Sequence, residues 1–568
     1  MRCLLSILSI YPLFVFSQYA NNTFDSFNNA EGHGTILKLN DSAYVSTGFT
    51  SGGFGANGYN ILLNDEGDSI SSRIISKSNI TIYVGMNAAA VQFNNRIISA
   101  GVFLDDLGVL PWRGGVVISN YNLDTLRTFS IGGSSDDRFW SVAITQDSNY
   151  VFAGETTSFS ASSDMWLVKT DTIGSVLWQK NYGGGGTEAT RSIDTTSDGG
   201  FIIAGHTNSF GTGGDNIYVV KTDADGNQQW HKWFGGPGNE VGWVKSLSDG
   251  SFLIYGGYSF ENPENSSQIV RHGSVMLLDA NGNQLWHKIY DNYTPGTFGY
   301  YNYTEGFEAL TIVNDGYVFC GLSVDSTDNH PLGWIVKTDF NGNELWSRRY
   351  RKRTFSNYFR DLVETPDGGF MISGWVGPDI SGNTQDVWIV RTNCLGFDQA
   401  PLANATAHFD DNYTIVLENN SHFFGDCMID WGDGNSTSVT EFDDSLVSHT
   451  YSASGNYQIE IIANACNDAD TFYLNVNPTA LGFDEVDLQS GFKIYPNPAS
   501  ESVKLIFDET ENVLVSIYDL SGKIIYSKQY NGLSNQIEID ISGFDAGTYF
   551  VHLNTVSENS GQKLLVIH

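Results

Sequence analysis

Basic residues are scarce in this chain of 568: 29 Lys and Arg stand against 64 Asp and Glu, for a formal net charge of −35. Nucleic acid and anionic membranes select the opposite bias, so neither is expected as a partner. Charge of either sign is thin, at 16%. Cysteine is nearly absent, with five in all, too few to staple a disulfide scaffold. Beyond the first residues no apolar run approaches the length of a transmembrane segment. A phosphate-cradling glycine loop, an HExxH helix and a nucleophile elbow are also missing, so no catalytic residue, metal ligand or cofactor is assigned.

What is abundant is glycine, at 61, and aromatic residues, at 13%. Turn formers and aromatics at the expense of helix formers predict an all-β protein. The length predicts several domains. The N-terminus has the pattern of a signal peptide over residues 1–17. Arg2 is its positive start, Cys3–Phe16 its apolar run, and Val15 and Ser17 its small residues, which makes Gln18 the mature N-terminus. Such a peptide implies the Sec translocon as a partner.

Residues 18–398 are repetitive. An apolar strand, a turn and a Trp recur, ending at Trp178, Trp230, Trp286 and Trp346, with weaker copies elsewhere. The turns open on Asn64, Asn120, Asp171, Asp223, Asp279, Asp339 and Asn393. A second apolar strand recurs in phase and ends at Gly48, Gly101, Gly154, Gly205, Gly256, Gly321 and Gly374. Both signals count seven. Four short strands in a repeat of roughly 40–60 residues predict a seven-bladed β-propeller. The seventh copy lacks an outer strand, and Asn21–Phe27 is expected to supply it. The small residues before the terminal Gly, among them Thr47, Ala204 and Cys320, are expected to crowd towards the ring centre, where blades taper. The Trp set is expected to pack between blades.

These repeats resemble the Trp-rich propeller repeats of bacterial surface proteins. They depart from sialidase Asp boxes, because Asp223 lies three before Gly226 with Ala224 at the expected acidic site, and from the quinoprotein Trp-docking repeat in spacing. Asp279-x-Asn281-x-Asn283 has alternating oxygen ligands, but no acidic residue follows where a calcium loop needs one, so a hairpin turn is the better explanation. Three longer inserts, Glu261–His272, Asp291–Tyr303 and Arg348–Tyr358, are candidate ligand loops. Tyr293, Tyr300, Tyr301 and Tyr303 are the aromatics placed to stack on sugar, with packing on the blade edge as the alternative. Asp136-Asp137, His206, His231 and His287 are read as ordinary loop and strand residues.

Residues 399–478 carry Trp431-Gly432-Asp433-Gly434, then His449-Thr450-Tyr451, then Gly455-x-Tyr457. This resembles the polycystic-kidney-disease (PKD) domain, an Ig-like β-sandwich, and the resemblance gives these residues structural roles. A bridge between Cys427 and Cys466 is one option for an exported protein, and two free thiols are the other.

After a linker, 479–490, residues 491–568 carry Tyr495-Pro496-Asn497-Pro498, a turn through Gly522-Lys523, Gly547-Thr548-Tyr549 and a final strand with Lys563. Together they resemble the type A C-terminal sorting domain of the type IX secretion system, a small β-sandwich. That resemblance implies the outer-membrane type IX translocon as a second partner and a place in the medium or on the outer surface of a Gram-negative cell. It also implies removal of the tail in the linker and attachment, in some members, to surface lipopolysaccharide. The tail describes a destination. For the working part, the first expectation is a non-catalytic platform for a glycan or protein ligand. A propeller-based glycan hydrolase or lyase and a structural cell-envelope protein are the alternatives.

Overall fold

The computed structural model describes residues 20–24, 31–52, 55–75, 80–83, 90–105, 111–262, 265–290, 306–324, 330–377, 385–410, 413–441, 443, 445–478, 492–507, 513–519, 523–530, 536–554 and 559–567. Among them every regular element is a strand. The chain divides into two compact units, Ser17–Asp398 and one holding Gln399–His568.

In Ser17–Asp398 the described strands form seven antiparallel sheets in chain order. Their first strands are Glu31–Asn40, a pair Ile80–Tyr83 and Ala90–Phe93, Asp137–Ile144, Glu188–Thr195, Val241–Ser246, Gly306–Val313 and Asn357–Glu364. Consecutive first strands pack on each other, and Glu31–Asn40 packs on Asn357–Glu364 and Phe370–Val376. The sheets therefore form a propeller-like ring with the first strands innermost. The second sheet departs from the plain repeat: Arg96–Asp105 carries two short partners on its inner edge. The last sheet runs Asn357–Glu364, Phe370–Val376, Asp386–Thr392 and then Ala20–Phe24. The chain's first described strand thus becomes the missing outer strand, with Asn21 opposite Val390. Asn21 fixes that seam, since its amide donates to Asp398 at 2.8 Å and its carbonyl oxygen accepts from Trp388 Nε1 at 2.8 Å. Asp25–Phe27 lie outside the described residues.

The repeated turn explains the repeated residue types. In each strong copy the Asx carboxylate accepts two backbone N–H groups: Asp223 from Asp225 and Asn227, Asp279 from Asn281 and Asn283, and Asp339 from Asn341 and Asn343. Oxygens engaged this way close a turn, and among the described residues no group of three metal-ligating side chains occurs. The turn needs a left-handed residue, which Gly226 (φ 76°) and Gly282 (φ 77°) supply at no steric cost. A Cβ on Gly226 would stand 2.8 Å from Trp178, and one on Gly282 3.0 Å from Trp230. Each turn therefore lies on the Trp of the preceding sheet, and Trp230 Nε1 donates to Ala280 O at 3.1 Å. The Trp residues seal adjacent sheets. Thr47, Ala204 and Cys320 are fully buried, and Cys320 is a free thiol.

In the second unit, residues 399–478 form a three-stranded sheet and a four-stranded sheet whose inward residues share one core, including Ile415, Leu417, Ile429, Trp431, Ile459 and Ile461. Residues 492–567 likewise form three- and four-stranded sheets around Val503, Leu505, Val515, Ile517, Val551 and Leu564. Strict alternation along these strands sends every second side chain to the shared core.

Candidate functional site

The chemistry-bearing side chains gather at the N-terminal ends of the inner strands. A buried polar residue stands at the start of five inner strands: Glu31, Asp137, Glu188 and Asn357 are the first residues of theirs, and Glu240 directly precedes Val241–Ser246. Their backbone N–H groups reach the preceding repeat, Asp137 N donating to Trp112 O at 2.9 Å, Glu188 N to Ser163 O at 2.7 Å and Glu240 N to Asp215 O at 2.8 Å, while their carboxylates hold the connecting loops. Asp137 accepts from Gly133 N at 2.7 Å and Ser158 Oγ at 2.6 Å, and Glu188 accepts from Gly184 N at 2.8 Å. Asp136 accepts from Trp112 N at 3.0 Å. The Asp136-Asp137 pair is thus occupied in structure.

Three residues further on, the inner strand bulges. The pairing skips one residue in the first, third, fourth, sixth and seventh sheets, leaving out Gly34, Trp140, Arg191, Glu308 and Arg360. A bulge re-aims the extra side chain and leaves it outside the ladder. It also pushes the backbone into the second strand, where only glycine fits. A Cβ on Gly154 would stand 1.8 Å from Arg138 O, and one on Gly205 1.9 Å from Ala189 O. In the bulged sheets the terminal glycine makes room for that backbone, and a Cβ on Gly256 of the unbulged fifth sheet would face Val241 O at 2.1 Å in the same way.

The bulged side chains turn to the axis and meet each other. Arg191 lies over the Trp140 ring, 5.9 Å from its centroid, from one sheet to the next. Arg360 pairs with Glu308, again across adjacent sheets. Beside them Arg138 pairs with Glu155 at 2.8 Å and stacks 4.1 Å from the Trp112 centroid. Tyr358 stacks on Trp375, with centroids 4.0 Å apart. His206, on the second strand of the fourth sheet, joins this group. Burial and then Arg191 hold its pKa below the usual value, so it is neutral near pH 7. Deeper along the axis Asp361 accepts Ile36 N–H at 2.9 Å and bridges the last sheet to the first. Burial pushes its carboxyl up to about 7.

The long inserts divide. The described residues of the Glu261–His272 insert are strand, not loop: Phe252–Asn262 pairs with Asn265–Leu278, with Arg271 opposite Ser259. Its longer strands carry Arg271 to within electrostatic reach of Arg191, Glu240 and Glu308. The Arg348–Tyr358 insert is spent on closing the ring, with Lys352 Nζ on Asn21 O at 2.6 Å and Arg353 Nη1 on Gly377 O at 2.9 Å. Tyr293, Tyr300, Tyr301 and Tyr303 lie outside the described residues. His231 bonds Tyr218 OH through Nδ1 at 2.9 Å, and His287 lies against the Tyr258 ring at 4.8 Å. His206 is the one of the three that the fold brings to the axis.

In 399–478 the expected residues form one packed cluster. Trp431 stacks on His449 at 4.8 Å, Tyr451 donates to Trp431 O at 3.0 Å, and Tyr457 stacks on Tyr451 at 4.3 Å. His449 Nε2 lies 2.8 Å from Asp433 Oδ2, while Gly432 and Gly434 take left-handed backbone. Gly455 abuts the Tyr457 ring. The Cys427–Cys466 bridge is not made. Cys427 is a free, buried thiol, whereas Cys466 is disulfide-bonded. Register explains it: Cys427 pairs with Ala463, and three residues of strand put Cys466 roughly 10 Å further on, beyond the Cα separation a disulfide spans.

In the tail, Asn497 fastens the Tyr495-Pro496-Asn497-Pro498 turn to the final strand. Its amide donates to Lys563 O at 2.6 Å, and its oxygen accepts Leu565 N–H at 2.8 Å. Tyr495 is exposed and Tyr549 is buried in the core. Gly547 pairs with Val566 and Lys563 with Phe550. Lys523 N donates to Asp519 Oδ1 at 3.1 Å, and Gly522 lies outside the described residues.

Residues 493–567 match the family model of the secretion system C-terminal sorting domain, and this tail implies export by the type IX system to the medium or the cell surface. An endo-acting ulvan lyase of Formosa agariphila is 34% identical over 80 residues, which is 14% of this chain and 15% of that enzyme. The chain therefore matches only a small part of that relative, and the match is far shorter than Ser17–Asp398. Among solved structures, polysaccharide lyase Uly1 has a TM-score of 0.36 at 11% identity, covering 68% of this chain and 94% of that one. Sqt1 from Chaetomium thermophilum has a TM-score of 0.36 at 10% identity, covering 65% and 98%. Scores this low carry no inference about chemistry. No helix among the described residues is long and apolar enough to cross a membrane.

Proposed function

We propose that this is a type IX cargo whose N-terminal seven-bladed β-propeller is a non-catalytic, glycan-binding platform, followed by a PKD-like spacer and a removable sorting tail. The N-terminal segment acts as its signal peptide. The carrying observation is the axial cluster. Trp140, Tyr358 and Trp375 offer ring faces, and Arg138, Arg191 and Arg360 offer forked donors, all on inner strands except Trp375, which is on the neighbouring strand Phe370–Val376. Sugars are bound by that combination of stacked rings and multidentate hydrogen bonds. Glycan-array binding by the secreted chain, lost in Trp140→Ala, is the expected result. An array without a single retained glycan would overturn the reading. Deleting 491–568 is expected to strand the protein in the periplasm, and normal appearance in the medium would refute the export assignment.

A second reading is a glycan lyase. It is favoured by the partial match to an ulvan lyase and by neutral His206 beside Arg191, a base next to a cation that could hold an acidic sugar. Release of unsaturated sugar from a polysaccharide panel, abolished in His206→Ala, would replace the binding reading with this one.

A further inference from the structure

Within the axial cluster the charges are unevenly matched. Glu155 is neutralised by Arg138 and Glu308 by Arg360. Arg191 and Arg271 have neither a hydrogen bond nor an ion pair among the described residues, although each lies within electrostatic reach of the other. Arg191 comes from the fourth sheet's bulge and Arg271 from the extended hairpin of the fifth. Around Arg191 stand Glu155, Asp215, Glu308, Arg360 and His206. Two of its three acids are already taken, and no Asp215 carboxylate contact within 4.0 Å reaches it. Glu240 is the acid that acts most on Arg271, but it makes no ion pair with it within 4.0 Å, and its Oε1 accepts Ser259 N–H at 3.3 Å.

Four buried N–H donors there stand without an acceptor, Arg138 Nε, Trp140 Nε1, Arg271 Nε and Arg360 Nε, against one buried acceptor without a donor beside Arg271, Glu240 Oε2. A buried donor left unpaired is destabilising, and an unpaired buried charge more so. A fold with 64 acids that leaves two guanidinium groups unmatched on its axis is arranged for an acceptor from outside. The fork of a guanidinium fits the planar or tetrahedral oxygens of a carboxylate or sulfate.

We propose that Arg191 and Arg271 form an anion subsite on the propeller axis that selects glycans bearing carboxylate or sulfate groups. This rests on the axial cluster being a glycan platform, and it names the class of glycan. Trp140 supplies the adjoining ring face, and the anion completes the donors that the protein leaves open.

The test uses the full secreted chain, with alginate, dextran sulfate and neutral dextran as probes, and inorganic sulfate as a probe free of sugar. Wild type is expected to bind alginate or dextran sulfate in preference to dextran, more weakly as salt rises. Arg191→Met and Arg271→Met are each expected to lose binding on the order of tenfold or more, as for a charge-assisted hydrogen bond, while the surface variant Arg73→Met binds as wild type. Arg191→Lys keeps the charge without the fork and is expected to fall between, which serves if Arg191→Met fails to fold. Equal binding of dextran and dextran sulfate, or unchanged acidic-glycan affinity in both Arg191 variants and Arg271→Met, overturns the subsite and leaves the platform standing. If no glycan binds but sulfate raises the melting temperature of wild type and not of Arg191→Lys or Arg271→Met, the subsite stands and the platform reading fails. If neither glycan nor sulfate acts, both are overturned.

Discussion

Gly205→Ala is the sharpest perturbation of the bulge that carries Arg191. The added Cβ would lie 1.9 Å from the carbonyl oxygen of Ala189, whereas ordinary contact begins near 3.4 Å. The obstacle is backbone, not a side chain that can swing away. The two strands must part by more than 1 Å or the bulge must flatten. Forced overpacking of this kind costs about 1–3 kcal/mol, with the upper end expected here. A unit the size of Ser17–Asp398 has an unfolding entropy of roughly 0.8 kcal/mol/K, so ~3 kcal/mol lowers its melting temperature by ~4 °C. Gly185→Ala is the matched control, because no atom lies within 4 Å of its added Cβ, and a shift within about 1 °C is expected. Differential scanning calorimetry of the three proteins decides the matter. A Gly205→Ala melting temperature indistinguishable from the control would refute the claim that the glycine exists to admit the bulge. Acidic-glycan binding should weaken in the same variant, since Arg191 leaves its position with the bulge.

Asn21→Ala removes two hydrogen bonds that fix the N-terminal strand on the last sheet. It is expected to destabilise by about 1–3 kcal/mol and to speed proteolysis at the N-terminus, and unchanged protection would count against the closure. Cys320 and Cys427 are buried free thiols, and burial raises both pKa values, Cys427 to about 11. Neither is expected to react with a maleimide until the protein unfolds; rapid labelling of the native chain would contradict their burial. Asp198 is held down to about 2, because hydrogen bonds from buried Lys221 and from Thr196 outweigh the upward effect of burial. Its folded value lies below its unfolded one, so its contribution is full above about pH 4 and is lost as pH falls towards 2. Asp198→Asn should flatten that part of the acid melting profile, and a wild-type slope in the variant would remove the assignment.

How much of this could be read in the chain depends on whether a feature is local. The Asx turns are local: Asp223, Asn227 and Gly226 lie within five residues and bond one another, so residue types alone report the geometry. The Trp positions follow from the same turns, since Trp178 and Trp230 lie against the next repeat's glycine at a constant offset. The missing outer strand was visible as a gap at one end and a spare strand at the other. Register was not visible. The bulges at Trp140, Arg191, Glu308 and Arg360 depend on which residue faces which across a ladder. The same limit misled the pairing of Cys427, which faces Ala463 instead of Cys466. Insert length also pointed two ways, because Glu261–His272 became strand and Arg348–Tyr358 became a clasp.

In the five bulged sheets the bulge separates the framework from the position proposed to meet a ligand. The glycine opposite it recurs from Gly154 to Gly205, Gly321 and Gly374, because a backbone carbonyl occupies the space beside each. The bulged residue itself touches no core. It reads Gly34, Trp140, Arg191, Glu308 and Arg360 in successive bulged sheets, which differ in size, charge and aromaticity. Such freedom beside such constraint is what a ring needs to vary its axis without disturbing its packing. Comparing the repeats with one another, and asking which position changes most three residues after a buried polar strand start, would have pointed to Arg191 from the sequence. The recurring residues describe how the ring is held together; the one that refuses to recur marks the proposed ligand site.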